Sequence, residues 1–212
     1  MSVLPGLHPV TATVAALVTG LGFLASILAH EYGHALTGRR FGVGCRSIML
    51  HIFGGVAGLD RHPPTAKSEF WIAIAGPAVS FALGIGLFTF SILSLVVFGE
   101  GLLSAGCITL GYINLVLGAF NLIPAFPMDG GRVLRAGVWH RTKDFIKSTK
   151  IAVHVGKVFG GLAIGAAVLM SLGIYIPYFG VGVFNGIWLG LLAALIMWMG
   201  EQELKNARMR RM

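Results

Sequence analysis

Five long apolar runs, separated by shorter polar stretches, dominate the pattern along the 212-residue chain. Residues 9–29 carry no charge, and the helical pattern continues through His30, Glu31 and His34 to Gly38, where Arg39 and Arg40 end it. A second run covers 70–98, interrupted only by Gly76 and Pro77 near its start. The third covers 102–122 and stops before Pro124 and Pro127, which cannot continue a helix. A fourth reads 158–176, and Pro177 predicts a tight turn into a fifth, 178–199. Each is long enough to cross a hydrocarbon core of about 30 Å at about 1.5 Å per residue. Residues 47–59 are also apolar but too few to span as a helix. Their β-branched and aromatic side chains around Gly54 and Gly55 predict a short hairpin dipping into the membrane, where irregular backbone survives only against helices or in a wet cavity. The expected fold is therefore an all-α polytopic membrane protein of about five transmembrane helices, with a short membrane re-entrant β segment after the first span.

Composition sharpens this picture. With 56% hydrophobic and 11% charged residues, the chain has less than half the charge of a soluble domain, about 25%. That excludes an ordinary soluble globule, and the hydrophobicity excludes disorder. The net charge of +8 comes from 16 Lys and Arg, all placed between alternate spans: Arg39 to Lys67, Arg132 to Lys157, and Lys205 to Arg211. By the positive-inside rule the N-terminus lies outside and the C-terminus in the cytoplasm. The basic tail then faces lipid headgroups of the bilayer, and no nucleic-acid partner is expected. Cys45 and Cys107 form neither a metal-binding spacing nor a disulfide framework.

His30-Glu31-Tyr32-Gly33-His34 fits the pattern His-Glu-x-x-His. On a helix the two histidines lie one turn apart on one face, where both imidazoles can hold one Zn²⁺. Glu31 is rotated away from the pair and can reach a water on the metal, to take its proton and deliver one to a leaving amine. A shuffled chain of this composition would show the pattern with a probability of roughly 0.005. Of the eight acidic residues, Glu31 alone lies within an apolar run, where a carboxylate is a functional residue by default.

A catalytic zinc site needs a third protein ligand and an open position. Asp129, in the segment Asn121-Leu-Ile-Pro-Ala-Phe-Pro-Met-Asp129-Gly130-Gly131, is the best candidate. Two prolines stop the preceding helix, and the glycines permit a turn that points Asp129 back. Its competing role is N-cap of a helical segment over 131–139. His30 and His34 lie about 8–14 Å inside the cytoplasmic edge, the same side on which Asp129 follows the third span.

Together, His30-Glu31-Tyr32-Gly33-His34 and Asn121-x-x-Pro124-x-x-x-x-Asp129-Gly130 resemble the site-2 protease family of intramembrane zinc metalloproteases, peptidase family M50. Ala75-Gly76-Pro77 after Glu69-Phe70 resembles a third, weaker signature of that family. The resemblance covers roughly residues 20–140. It implies that His30, His34 and Asp129 bind Zn²⁺, that Glu31 is the catalytic base, and that Asn121 positions substrate or the developing oxyanion. It also implies that Gly54 and Gly55 belong to a substrate-binding β segment near the site. The expected activity is hydrolysis of peptide bonds in or near the transmembrane segments of membrane-anchored proteins, such as anti-sigma factors or remnant signal peptides. The cell membrane is the expected location, with the active site near the cytoplasmic side. Residues 1–212 are expected to form one transmembrane metalloprotease domain, with no PDZ or CBS module.

Asn114 shares a helix face with Asn121 and is expected to make an interhelical hydrogen bond. His51 could line the site or sit at the interface; His8, His62, His140 and His154 read as solvated. Glycines 160, 161, 165, 180, 182 and 186 are expected to allow close helix approach. The rival reading is a metal-ion or proton transporter using the same His/Glu/Asp cluster. It leaves the ligand spacing unexplained, and the outer halves of the spans lack the polar residues that a pathway needs.

Overall fold

A computed structural model of the chain describes residues 8–51, 54–59, 62–99, 101–177 and 180–209, with the side chains of 46–51, 54–59 and 98 left aside. Among the described residues are six helices and one two-stranded hairpin. Five of the helices are long and apolar enough to cross a membrane. The chain divides into two compact units, taken in turn: residues 1–64 with 71–121, and residues 65–70 with 122–212.

In the first unit, α1 (Pro9–Arg40) begins with Pro9 in its first turn, where a missing N–H costs nothing, and His8 caps it by accepting from the Val10 amide. Arg39 and Arg40 in the last turn complement the helix dipole. The strands β1 (Cys45–His51) and β2 (Gly54–Leu59) pair antiparallel, with Leu50 opposite Gly55, His51 opposite Gly54 and an irregularity between Cys45 and Ser47. A two-stranded hairpin therefore occupies the expected segment, starting two residues earlier; the side chain of His51 lies outside the described residues.

The helices α2 (Ala66–Phe98) and α3 (Leu102–Asn121) follow the expected second and third runs. They approach closely where Gly84 meets Gly111: a Cβ at either glycine would lie 3.1–3.2 Å from the other's carbonyl oxygen. Between apolar helices in lipid, such small residues let backbones touch and dispersion contacts accumulate. The Asn114 amide donates across to Ser26 Oγ of α1 at 2.9 Å, which is the expected interhelical bond.

The second unit holds the first turn of α2, started by a reciprocal cap. Thr65 Oγ1 accepts from the Ser68 amide at 3.1 Å, and Ser68 Oγ accepts from the Thr65 amide at 3.0 Å. It continues with α4 (Asp129–Thr142), α5 (Phe145–Ser171) and α6 (Val183–Met209). Asp144 caps α5 through the Lys147 amide. Phe126, Ala152, Val153 and Leu204 form one buried cluster, and Ala167, Met170 and Leu189 another.

Both last helices differ in extent from the expected spans. The fifth helix starts at Phe145 rather than 158, because Ser148, Thr149, Ala152, Val153 and Gly156 make a buried stripe while Lys147 and Lys150 point outward. It also ends earlier, at Ser171, and Ile176 and Gly180 exchange two backbone hydrogen bonds across the turn at Pro177. The last helix starts at Val183, after Gly180 and Gly182 adopt positive φ, and runs on past 199 with Gly200, Leu204 and Ala207 buried. Of the glycines expected at close approaches, Gly160 and Gly186 face the neighbouring helix; Gly161 and Gly165 face open space, and Gly180 and Gly182 serve the turn.

Candidate metal centre

The last turns of α1 bury His30, Glu31 and His34, although the apolar side chains before them are largely exposed. The spacing of four residues sets the two imidazoles edge to face, with ring centroids 5.0 Å apart, and their Nε2 atoms approach to 3.3 Å. Two nitrogens bound to one tetrahedral Zn²⁺ at about 2.0–2.1 Å would be about 3.3–3.4 Å apart, so the pair fits the ion. The outer nitrogens are held too. His34 Nδ1 lies 2.6 Å from the carbonyl oxygen of Ile72, which can only accept, so Nδ1 carries a proton; in the neutral ring that leaves the lone pair on Nε2. His30 Nδ1 lies 2.8 Å from Ser80 Oγ.

Opposite the two Nε2 atoms stands Gly76. A Cβ there would overlap His34 Nε2 and come within 2.6 Å of His30 Nε2, so the glycine leaves room in front of both Nε2 atoms. Pro77 continues the same helix; having no N–H, it leaves the Ala73 carbonyl without its intrahelical donor. Glu31, the next residue after His30, is rotated about 100° from it.

The other proposed site residues lie as follows. Asp129 is buried and is the first residue of α4, with Met128 in the cap position, so it does not act as the N-cap. It stands where the helix dipole is positive, with Arg132 Nη1 3.7 Å from its Oδ1. Behind it the 122–131 loop closes tightly: a Cβ at Gly130 would overlap the Leu122 and Ile123 carbonyls. Asn121 ends α3, half-buried, and its Nδ2 donates to the Leu117 carbonyl at 3.0 Å. Gly54 and Gly55 open β2. His8, His62, His140 and His154 are exposed, as expected.

Comparison with known proteins decides the family. The model of peptidase family M50 matches residues 18–105 and 97–163. The chain belongs to this family, that of the site-2 proteases. Among M50 relatives, a Synechocystis sp. protein bearing a zinc metalloprotease name is 38% identical over 97% of this chain and 52% of its own length. A zinc metalloprotease of Methanocaldococcus jannaschii is 43% identical over 71% of this chain and 45% of its own. The solved structure of the site-2 protease from Methanocaldococcus jannaschii aligns with a TM-score of 0.60 at 38% identity, covering 87% of this chain and 76% of that one. The chain spans about half the length of these curated relatives. With five helices of spanning length, this M50 member is a multi-pass membrane protein.

Three features of this M50 chain were assigned no role at the site from its sequence. Ser80 and the Ile72 carbonyl hold the imidazoles, and Gly76 clears their front. Arg135 is buried between Glu69 and Glu203. Only Gly76 left a trace in the sequence, within Ala75-Gly76-Pro77, a signature that carries no ligand of its own.

Proposed function

We propose that the protein is an intramembrane zinc endopeptidase that cleaves in or near the transmembrane segments of membrane-anchored substrates. The observation that carries this is the 3.3 Å approach of the His30 and His34 Nε2 atoms in front of Gly76, with Glu31 next in the chain. His30, His34 and Asp129 would hold Zn²⁺; each is buried and each offers one ligand atom, and three protein ligands leave a fourth position open. Zinc, when bound, supplies a Lewis acid for the scissile carbonyl and makes a water acidic near neutral pH. Glu31 accepts the proton of the attacking water and returns it to the leaving amine. The Asn121 amide offers N–H donors to the oxyanion that develops on the former carbonyl.

A peptide bond in a helix is shielded by its own turn, so the substrate must be extended to react. The β1–β2 hairpin, with Gly54 and Gly55 at the start of β2, would hold the extended segment as an added strand. The distribution of Lys and Arg supports an outer N-terminus, a cytoplasmic C-terminus and a site near the cytoplasmic face of the cell membrane. Single-pass regulators such as anti-sigma factors, or remnant signal peptides, are the substrate class this topology suits.

The test is cleavage of a model transmembrane substrate by the purified protein, with and without a zinc chelator, beside Glu31→Gln. The expected result is chelator-sensitive cleavage by the native chain and a Gln variant that keeps zinc but does not cleave. Full proteolysis by that variant, or metal flux in proteoliposomes without hydrolysis, would overturn the proposal.

A further inference from the structure

Ile72, Gly76 and Ser80 recur every fourth residue on α2 and so share one face of it. That face meets His30 and His34 in antiparallel order, the earlier histidine against the later residue: His30 with Ser80, His34 with Ile72. Several other hydroxyls among the described residues turn back on their own helix. Ser26, Thr149 and Ser171 each donate to the carbonyl four residues before them, at 2.8–2.9 Å. Ser80, fully buried, reaches across to another helix instead, and its target is a proposed metal ligand.

The chemistry of the ligand gives that contact its meaning. An imidazole that binds a metal through Nε2 must carry its proton on Nδ1, and a hydrogen-bond acceptor placed at Nδ1 selects that tautomer and fixes the ring plane. For His34 the acceptor is a backbone carbonyl. For His30 it is the Ser80 hydroxyl, an acceptor that a side-chain substitution can remove. We infer that Ser80 is a positioning residue for the metal centre: its Oγ accepts the His30 Nδ1 proton and holds Nε2 toward His34 Nε2 and Gly76. This rests on the zinc reading above and adds to it a hydroxyl that touches neither ion nor substrate.

The test uses the full chain in detergent, comparing native protein, Ser80→Ala, Ser80→Thr and His30→Ala. Zinc affinity is read by competition with a chromophoric chelator, and the Tm of each metal-stripped protein is read separately. Ser80→Ala is expected to weaken zinc about 10–100-fold, the usual effect of losing a partner behind a ligand, with an unchanged metal-free Tm. Ser80→Thr keeps the hydroxyl and stays within about threefold of the native affinity, against the same loss range. Native zinc affinity in Ser80→Ala, while His30→Ala loses the metal, overturns this inference and leaves the zinc site standing. A Ser80→Ala protein whose metal-free Tm falls along with its affinity also overturns it, because the role is then structural. A native chain that binds no zinc overturns both readings.

Discussion

Arg135 of α4 donates to Glu69 Oε1 through Nε at 2.8 Å, while its Nη1 donates to Glu203 at 2.6 Å, so that one guanidinium joins the first turn of α2 to α4 and α6. Phe126 and Phe145 cover it, with the guanidinium carbon 5.0 and 4.7 Å from their ring centres. Burial works against the charge, but the Glu69 and Glu203 carboxylates outweigh it and hold Arg135 above its ordinary pKa. Removing the cation alone would leave a buried Glu69 uncompensated. Arg135→Met is expected to cost about 3–5 kcal/mol, and the double variant with Glu69→Leu to recover part of that loss. Unfolding of the purified variants, read side by side, checks the order.

The glycine in front of the histidines sets a second expectation. Gly76→Ala places a methyl against His34 Nε2 and His30 Nε2. Zinc affinity should fall on the order of 100-fold or more, at or beyond the upper end for a partner behind a ligand, with the helix content intact. Zinc content by elemental analysis and far-UV circular dichroism of one sample decide it; a variant carrying native zinc would contradict the geometry.

Asn121 is expected to act in the transition state rather than in substrate binding. If its amide meets the oxyanion, Asn121→Ala lowers kcat about 10²–10³-fold with little change in KM. A change confined to KM would assign it to substrate binding instead.

Ser26 and Asn114 supply a prediction on stability alone. Their hydrogen bond joins α1 and α3 in a fully buried setting. A double-mutant cycle with Ser26→Ala and Asn114→Ala should yield a coupling of about 0.6–1.7 kcal/mol, the range found between transmembrane helices. No coupling would mean that the two helices associate by packing alone.

The spans were legible in the sequence because charge is costly in lipid and almost absent over their length, and His30 and His34 because both lie on one helix, four residues apart. Where helices leave the apolar layer, that rule no longer marks their ends. Lys147 and Lys150 face outward from a helix whose other side stays buried, so α5 begins well before its apolar run. Ser80 and Ile72 were hidden because their partners lie 50 and 38 residues away, and a hydroxyl or a carbonyl leaves no periodic mark. Arg135 read as one more cytoplasmic charge that orients the chain; only folding brings carboxylates from 66 and 68 residues away to surround it.

Gly76 would also make a bound ion a fastener. Whatever binds both Nε2 atoms would meet the backbone of α2 at this residue, so a zinc held by α1 would be set against its neighbour. Any ligand that binds the folded state alone raises stability by mass action, and here the gain falls on the seam between two membrane helices. A cell short of zinc would then lose more than a reagent: the clasp between α1 and α2 would slacken, and the protein's lifetime in the bilayer would report on the metal supply.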